Sequence, residues 1–256
     1  GSAVGYGQYG ALNLGRVERT AHALIGTVLA QLEVPDGVCV ERVVDNGSAV
    51  DALTTAGGDA RFVVIGRRDK YGAPQLLRRH VASRLSARAP VPVLTVPASW
   101  QFQERSDRPV IIGLDAVTPS RRPLAFAFSH ADQIGAPLRV VHAVPDGRGT
   151  SDDHAAISQA LTRLRARYPD VAVDVQIARG DAEEVLAQSS TDASLLVVGK
   201  PYEYPGLGAW RSSLTGAVLR RASCPVAVVP QAVADTRGAL AHAGDTASPL
   251  DASARS

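Results

Sequence analysis

DARFVVIG at residues 59–66 and DASLLVVG at residues 192–199 are two versions of one segment, separated by 133 positions. The same separation relates Pro97 to Pro230, and from Val38 to Pro97 the two versions align without a gap. A repeat of this length indicates two copies of one domain rather than a solenoid of short units.

The two copies are unequal in extent. The second copy begins with a strand near Pro109, and the counterpart of that strand would fall before residue 1. We therefore predict a partial domain over 1–98, a linker over 99–108 and a complete domain over 109–230. Residues 231–256 are rich in Ala, Asp, Ser and Gly, which predicts a disordered tail.

Composition limits the partners and the compartment. Apolar residues make up 45% of the chain and charged residues 20%, with a net charge of +2, as expected of a globular protein without nucleic acid. No apolar run reaches the length of about 18 residues that spans a membrane. Pairs of basic residues are interpreted as solvated helix ends; they are Arg67-Arg68, Arg78-Arg79 and Arg220-Arg221.

The two cysteines, Cys39 and Cys224, lie in or beside apolar runs and have no metal-ligand spacing. They are interpreted as small buried apolar residues in a reducing cytoplasm, and no metal site is expected.

The second copy alternates strands with helices. Strands are predicted at 109–115, 138–144, 171–175, 195–199 and 225–229, the third of them near the sheet edge. Helices are predicted at 121–134 (capped by Ser120 and closed by Gly135), from 152 or 153 to 168, after Gly180-Asp181, and at 212–222. This order predicts right-handed crossovers and a doubly wound, parallel, five-stranded α/β sheet.

The first copy supplies only the later elements of that order. Residues 3–14 are predicted to be a loop. Helices are predicted at 17–32, 48–55 and 76–88, and strands at 38–44, 61–66 and 91–96, so that the copy lacks its first two strands and first helix.

Several residues of the second copy form a recognisable set: the strand-end acid in Ile112-Gly113-Leu114-Asp115 with Ser120 after it, His142 in VVHAV, Gly180-Asp181, Leu196–Gly199, and the closing Ala222–Val226. Together with the order of elements, this set resembles the universal stress protein family in its tandem form. The resemblance implies a Rossmann-like, adenine-nucleotide α-hydrolase-like fold in each copy. It also implies a non-enzymatic role in stress response or signalling.

Family members that bind ATP carry G-x2-G-x9-G-[ST] after the fourth strand. Glycine lets backbone amides approach phosphates, and the following helix N-terminus adds a favourable dipole. In the second copy Gly199 and Ser213 keep their motif positions, whereas Tyr202 and Ser212 replace two glycines. In the first copy only Gly66 remains, because Asp69, Arg79 and His80 take the other positions, so that copy is not expected to bind ATP.

The resemblance implies one site, in the second copy, for ATP or another adenine nucleotide with its Mg²⁺. The implied residues are Asp115, Ala143, Gly199, Gly206, Gly208, Ser212, Ser213 and Leu214. Structural alternatives stay open: a turn glycine for Gly199, helix caps for Ser120 and Ser213, a hydrogen-bonded inner histidine for His142, and solvated residues for Lys200 and His80.

The sequence contains no GxxxxGK[ST], HExxH or GxSxG motif, so an enzyme is not the leading hypothesis. A nucleotide-responsive binding protein and a nucleotide-independent interaction module remain, with weak ATP hydrolysis less favoured. The final strands, VPVLTVP at 91–97 and PVAVVP at 225–230, are expected to pair within the chain. The uncovered sheet face and edge of the partial copy predict either further association into a homo-oligomer or instability.

Overall fold

The computed structural model describes residues 6–67, 75–101, 107–116, 120–145, 151–200 and 208–231, with the backbone alone at 6–14, 75–80 and 208–213. The chain divides into two compact units, residues 1–52 and residues 53–256. Asp69, Tyr202, Gly206 and the predicted tail beyond Gln231 lie outside the described residues.

The helices of the described residues are α1 (Tyr6–Leu29), α2 (Ala49–Ala56), α3 (Gln75–Arg88), α4 (Arg121–Ile134), α5 (Ser151–Arg167), α6 (Ala182–Ser189) and α7 (Gly208–Arg221). The strands are β1 (Val63–Arg67), β2 (Val93–Pro97), β3 (Val110–Gly113), β4 (Leu138–Val144), β5 (Val173–Arg179), β6 (Leu195–Gly199) and β7 (Val226–Val229). Across the part of the chain that is described, no helix combines the length and apolarity needed to cross a membrane.

The second unit is built on one sheet of seven strands in the order β1-β2-β7-β6-β3-β4-β5. Neighbouring strands are parallel except β2 and β7, which are antiparallel. The complete copy supplies five adjacent strands, with β5 at the edge as expected. The predicted doubly wound α/β class is confirmed.

Apolar side chains explain why the inner strands β3, β6 and β7 of the complete copy are covered on both faces. On one face, Leu124 and Phe128 of α4 and Ile157 of α5 form a buried cluster with Ile112 and Val197. On the other face, residues of α6 and α7 form a second cluster with Ile111, Leu196 and Val228. Fully apolar strands are typical of a parallel sheet between two helical layers.

Helix α4 covers its face because its apolar residues recur on one side. Leu124, Phe128 and Ala131 are fully buried at spacings of four and three residues. The helix ends at Gly135, whose φ of 64° is the left-handed conformation that glycine adopts without strain. The bounds predicted for this helix, 121–134, agree with the structure.

The final strands of the two copies lie side by side in the sheet. Val93 is opposite Val228, Leu94 opposite Ala227 and Thr95 opposite Val226. Through this antiparallel pairing, two strands of the partial copy extend the five-stranded sheet of the complete copy.

The partial copy has a buried cluster that corresponds to one of the two clusters of the complete copy. Leu85 and Ala89 of α3 and Val93 of β2 are buried together, and Val63 and Ile65 of β1 pack against them. In the complete copy the counterpart positions lie on the face covered by α6 and α7. The opposite face of β1 has no comparable buried cluster in the described residues of the partial copy.

Two expectations for the first unit are wrong. Residues 6–14, predicted as part of a loop, belong to α1, because no proline interrupts them and scattered glycines cost a helix only about 1 kcal/mol each. The strand predicted over 38–44 is not formed. In the complete copy the corresponding strand β5 pairs only with β4, and the counterpart of β4 falls in α1, so residues 38–44 lack a neighbouring strand.

Loss of that strand also corrects the interpretation of Cys39. Cys224 is buried as predicted, but Cys39 is exposed and the segment around it forms no strand. Arg67 is likewise no solvated helix end: it closes β1 and its guanidinium donates to the carbonyl oxygens of Leu219 and Ala222.

Candidate functional site

The strand order of the complete copy creates a crevice at one edge of its sheet. β3 lies between β4 and β6, and the helices that follow β3 and β6, α4 and α7, cover opposite faces. The chain therefore leaves the carboxyl ends of β3 and β6 in opposite directions. In doubly wound sheets this topological switch point is where ligands bind.

A cavity of about 450 Å³ opens at this switch point. Ligand sites typically enclose about 300–1,000 Å³ with mostly apolar walls and a few polar groups, which is the character of this cavity. Its polar side chains come from Asp115, Ser120, His142, Asp153, Lys200, Thr215 and Gln231. Its apolar wall includes Leu114, Pro123, Val141, Ala143, Leu186, Val198 and Leu214.

The structure brings together four of the eight residues named for the nucleotide site. Asp115, Ala143, Gly199 and Leu214 line the cavity. Gly206 lies outside the described residues, and for Gly208, Ser212 and Ser213 only the backbone is described.

The start of α7 differs from the sequence-based expectation. The helix begins at Gly208, four residues before the predicted start at Ser212, so Gly208 is the first helical residue rather than a loop residue. Ser213 consequently lies in the second turn of α7 and is not its cap. The sequence-based placement was wrong because Pro205 and the surrounding glycines suggested a longer loop.

Gly199 lies closer to neighbouring side chains than its repeat counterpart does. A β-carbon at this position would lie 2.9 Å from Nε2 of Gln231 and 3.5 Å from Cγ of Pro123, both residues of the cavity wall. Its repeat counterpart, Gly66, would find no atom within 4 Å. A side chain at residue 199 would therefore have to displace Gln231, whereas one at residue 66 would enter open space.

Two buried polar atoms at the cavity have no hydrogen-bond partner in the described structure. They are Oγ of Ser120 and Oε1 of Gln231. Ser120 occupies the N-cap position of α4 but its side chain makes no capping hydrogen bond, which corrects its predicted capping role. Buried polar groups without partners are costly, so these two atoms identify the part of the wall that a polar ligand would satisfy.

His142 is half-buried, and its ring nitrogen Nδ1 lies 2.9 Å from the carbonyl oxygen of Leu114. This contact holds the imidazole beside the end of β3. The interpretation of His142 as a hydrogen-bonded inner histidine is confirmed, and the residue also lines the cavity.

The charges at the cavity are mixed. Asp115 follows β3, Asp153 lies in the first turn of α5, and Lys200 follows β6 with its backbone N–H donating to Val229 at 2.8 Å. Among the residues with described side chains, no group of three or more His, Cys, Asp or Glu is arranged to hold a metal ion.

Sequence reasoning missed several residues of the cavity. Gln231 was assigned to the tail, although it lies two residues after the end of β7 and lines the site. Thr215 and Pro123 had no motif to mark them. Asp153 was recognised only as a possible start of a helix. Its position in the first turn of α5, the helix that follows β4, could have indicated that it lies at the carboxyl edge of the sheet.

Both copies of this chain are similar to one family of known proteins. The profile of the Universal stress protein family matches residues 4–97 and 108–230. A universal stress protein of Mycolicibacterium smegmatis is 26% identical over 204 residues, which cover 75% of this chain and 69% of that protein. Universal stress protein Rv2005c of Mycobacterium tuberculosis is 27% identical over 194 residues, covering 71% of this chain and 66% of its own length.

Among solved structures, a universal stress protein from Archaeoglobus fulgidus matches with a TM-score of 0.53 and 18% identity, over 72% of this chain and 66% of that one. This likeness supports the fold. The chain spans about two thirds of the length of these relatives. Because both copies match the family profile over most of their length, the chain belongs to the universal stress protein family, in its tandem form.

Proposed function

We propose that this protein binds an adenine nucleotide, ATP or a smaller relative, in the cavity of its complete copy and acts without catalysis in stress response or signalling. The observation that carries the proposal is the meeting of Gly199, Asp115 and the unpartnered Ser120 hydroxyl in one cavity at the switch point. Gly199 is one of the two motif positions that this copy retains.

The cavity suits the parts of a nucleotide. Val141, Ala143 and Leu186 offer an apolar wall for the base, and ligand pockets of this size commonly enclose such groups. Carboxylates repel phosphates but accept hydrogen bonds from hydroxyls, so we assign Asp115 and Asp153 to the ribose side. In this proposal the backbone at Gly199 and the ammonium of Lys200 stand on the phosphate side.

A triphosphate would bring Mg²⁺ with it. Mg²⁺ is usually held by one or two carboxylates together with substrate phosphates, and the carboxylates available at this cavity are those of Asp115 and Asp153. Those carboxylates could bind the ion only if they turned away from the ribose hydroxyls. A nucleotide with fewer phosphates depends less on Mg²⁺, so both carboxylates could stay on the ribose side.

Isothermal titration calorimetry of the full chain with ATP, ADP and AMP tests the proposal. We expect saturable binding, weakened at least tenfold by Asp115→Ala and unchanged by Asp132→Ala, which removes an exposed acid from α4. Absence of binding at millimolar nucleotide would overturn the proposal. Phosphate release above the spontaneous rate, with ATP, would overturn the non-catalytic part.

The alternative is a nucleotide-independent interaction module. It is favoured by Tyr202 and Ser212, which replace two glycines of the family motif. The same titration decides between the two functions, because this alternative predicts no heat of binding with any of the three nucleotides.

The proposed assembly starts within the chain. We propose that the pairing of β2 with β7 within this chain replaces the pairing of final strands that would otherwise join two separate domains. A cytoplasmic location accords with two free thiols in the described residues, since reducing compartments keep cysteines unpaired. Homo-oligomerisation stays a prediction, which light scattering over a range of concentrations tests.

A further inference from the structure

The hydroxyl of Ser120 is left unpaired by the residues that follow it. An N-cap serine ordinarily accepts a hydrogen bond from the N–H of the second or third helical residue. In α4 the third helical residue is Pro123, which has no N–H, and the side chain of Ser120 makes no capping hydrogen bond. Ser120 is only 8% exposed and lines the cavity, so its Oγ is held in the wall without a partner among the described residues.

The carboxamide of Gln231 contributes a second unpaired oxygen to the same wall. Its Oε1 is buried and has no hydrogen-bond partner in the part of the chain that is described. Its Nε2 lies 2.9 Å from the position that a β-carbon of Gly199 would take, and Cγ of Pro123 lies 3.5 Å from that position. The carboxamide therefore approaches the first turn of α4 beside Gly199, and Ser120 directly precedes that turn.

The two unpaired oxygens restrict the kind of ligand group that suits them. An amide oxygen only accepts hydrogen bonds, whereas a serine hydroxyl both donates and accepts. A deprotonated phosphate oxygen could accept from Ser120 but would leave Oε1 of Gln231 unpaired. A ligand hydroxyl can accept from Ser120 and donate to Gln231, so a single hydroxyl can satisfy both atoms.

We propose that Ser120 and Gln231 bind a ribose hydroxyl of the nucleotide, and that Gln231 gives the cavity a preference for ribonucleotides over deoxyribonucleotides. This inference rests on the proposed function. Ser120 follows Asp115 in the connection from β3 to α4, and Gln231 borders Gly199. The pair therefore lies between the ribose side of the proposed nucleotide, at Asp115, and its phosphate side, at Gly199.

The preference follows from what a deoxynucleotide would leave behind. A ligand that displaces solvent from this part of the wall loses affinity unless it reproduces the hydrogen bonds that solvent can make there. A site that hydrogen-bonds a hydroxyl rejects an analogue without it, because the buried polar groups are then unpaired.

Calorimetric titration of the full chain with AMP, 2′-deoxy-AMP and 3′-deoxy-AMP tests the proposal. We expect one of the two deoxynucleotides to bind about tenfold more weakly than AMP, which identifies the hydroxyl concerned. Gln231→Leu removes the acceptor and should reduce the affinity for AMP to that for this deoxynucleotide. Gln133→Leu is the matched control, because it makes the same change at an exposed glutamine of α4 outside the cavity wall and should preserve the difference.

A second variant, Gln231→Glu, separates the acceptor of the carboxamide from its donor. Glutamate keeps an accepting oxygen but has no NH₂ group, and its charge should weaken the binding of every nucleotide because it repels phosphate. The ratio of the affinities for AMP and the deoxynucleotide should nevertheless be retained. Loss of that ratio would show that Gln231 acts through its NH₂ group, which would overturn the proposal. Circular dichroism of each variant checks that the fold is unchanged.

The remaining outcomes separate this inference from the proposed function. Equal binding of all three nucleotides would overturn the inference and leave the proposed function standing, whereas no binding of any nucleotide would overturn both. A preference for AMP that persists in the Gln231→Leu chain would assign the hydroxyl to other residues. If inosine monophosphate, and neither deoxynucleotide, bound more weakly than AMP, the pair would contact the amino group of the base and the inference would be wrong.

Discussion

The guanidinium of Arg67, at the end of β1, donates a hydrogen bond of 2.6 Å to the backbone carbonyl oxygen of Ala222, which directly follows α7. The same guanidinium also donates to the carbonyl oxygen of Leu219 in the last turn of that helix. A residue of the partial copy thus caps a helix of the complete copy, at the end where a positive charge is favourable. The opposite half of α7 contributes Leu214 and Thr215 to the cavity wall.

Removing this cap should destabilise the second compact unit, residues 53–256. Hydrogen bonds from charged groups contribute about 1.5–3 kcal/mol when partly buried, so Arg67→Ala should lower the free energy of unfolding by about 2 kcal/mol. Arg67→Lys, which keeps the charge but has fewer donors, should have a free energy of unfolding between those of Arg67→Ala and the unaltered chain. Urea unfolding measures the effect. Arg220→Ala, at an exposed arginine of α7, is the control; an equal loss there would mean that Arg67 has no special role.

Thr95 offers a test at the junction of the two copies. Its Oγ1 is buried without a hydrogen-bond partner in the described structure, and its repeat counterpart is Val228. Thr95→Val replaces the hydroxyl by a methyl group of similar shape and should raise the free energy of unfolding by about 1 kcal/mol. The reverse exchange, Val228→Thr, should lower it by a similar amount. Thermal unfolding of the two variants should therefore shift in opposite directions.

The two thiols should differ sharply in reactivity. Burial raises the pKa of Cys224 to about 12, so this thiol stays protonated and shielded at ordinary pH, whereas Cys39 is exposed. Ellman's reagent at pH 8 should titrate one thiol in the native chain and two after denaturation. Cys39→Ser should abolish the native reaction. If that variant still reacted quickly, Cys224 would be more accessible than its burial implies.

Burial of His130 should make the free energy of unfolding decrease in mild acid. Burial lowers the pKa of its imidazole, which lies 6.4 Å from the ring of Phe126 between centroids. As the pH falls below about 6.5, the imidazole is protonated in the unfolded chain but not yet in the folded chain. The free energy of unfolding is therefore highest above that pH and decreases as the pH falls toward the lowered pKa of the folded state. One group contributes at most about 1.4 kcal/mol per pH unit.

Urea midpoints between pH 7.5 and pH 5 measure this effect. His130→Phe should flatten the dependence, and His154→Gln, at an exposed histidine of α5, should not. An unchanged slope in the His130→Phe chain would show that other groups govern the acid response.

The sequence was sufficient for features that rest on local pattern. Apolar runs such as Leu195–Gly199 predicted the buried strands, and Gly135 marked the end of α4, because each is determined by nearby residues. The shared register of 133 residues correctly predicted β1 and β2 as the counterparts of β6 and β7, but it also predicted a strand at 38–44 that is not formed. The same register predicted pairing of the final strands, which are adjacent in the sheet.

The failures occur where the structure depends on more than the local pattern of residues. Residues 38–44 alternate like β5, but a strand needs a partner, and without one Cys39 is exposed. The roles of Gln231 and Arg67 depend on contacts between segments far apart in the chain, which no local pattern encodes. The start of α7 was placed too late because glycine and proline do not by themselves define where a helix begins.

We expect this chain to bind an adenine nucleotide at Gly199 of the complete copy and not at Gly66 of the partial copy. The most direct measurement is calorimetric titration of the Gly199→Val and Gly66→Val variants, which place the same side chain at equivalent positions of the repeat. Gly199→Val should weaken nucleotide binding, because its side chain would occupy the cavity wall and displace the amide end of Gln231, while Gly66→Val, in open space, should bind like the unaltered chain. Undiminished binding by the Gly199→Val chain would contradict the account.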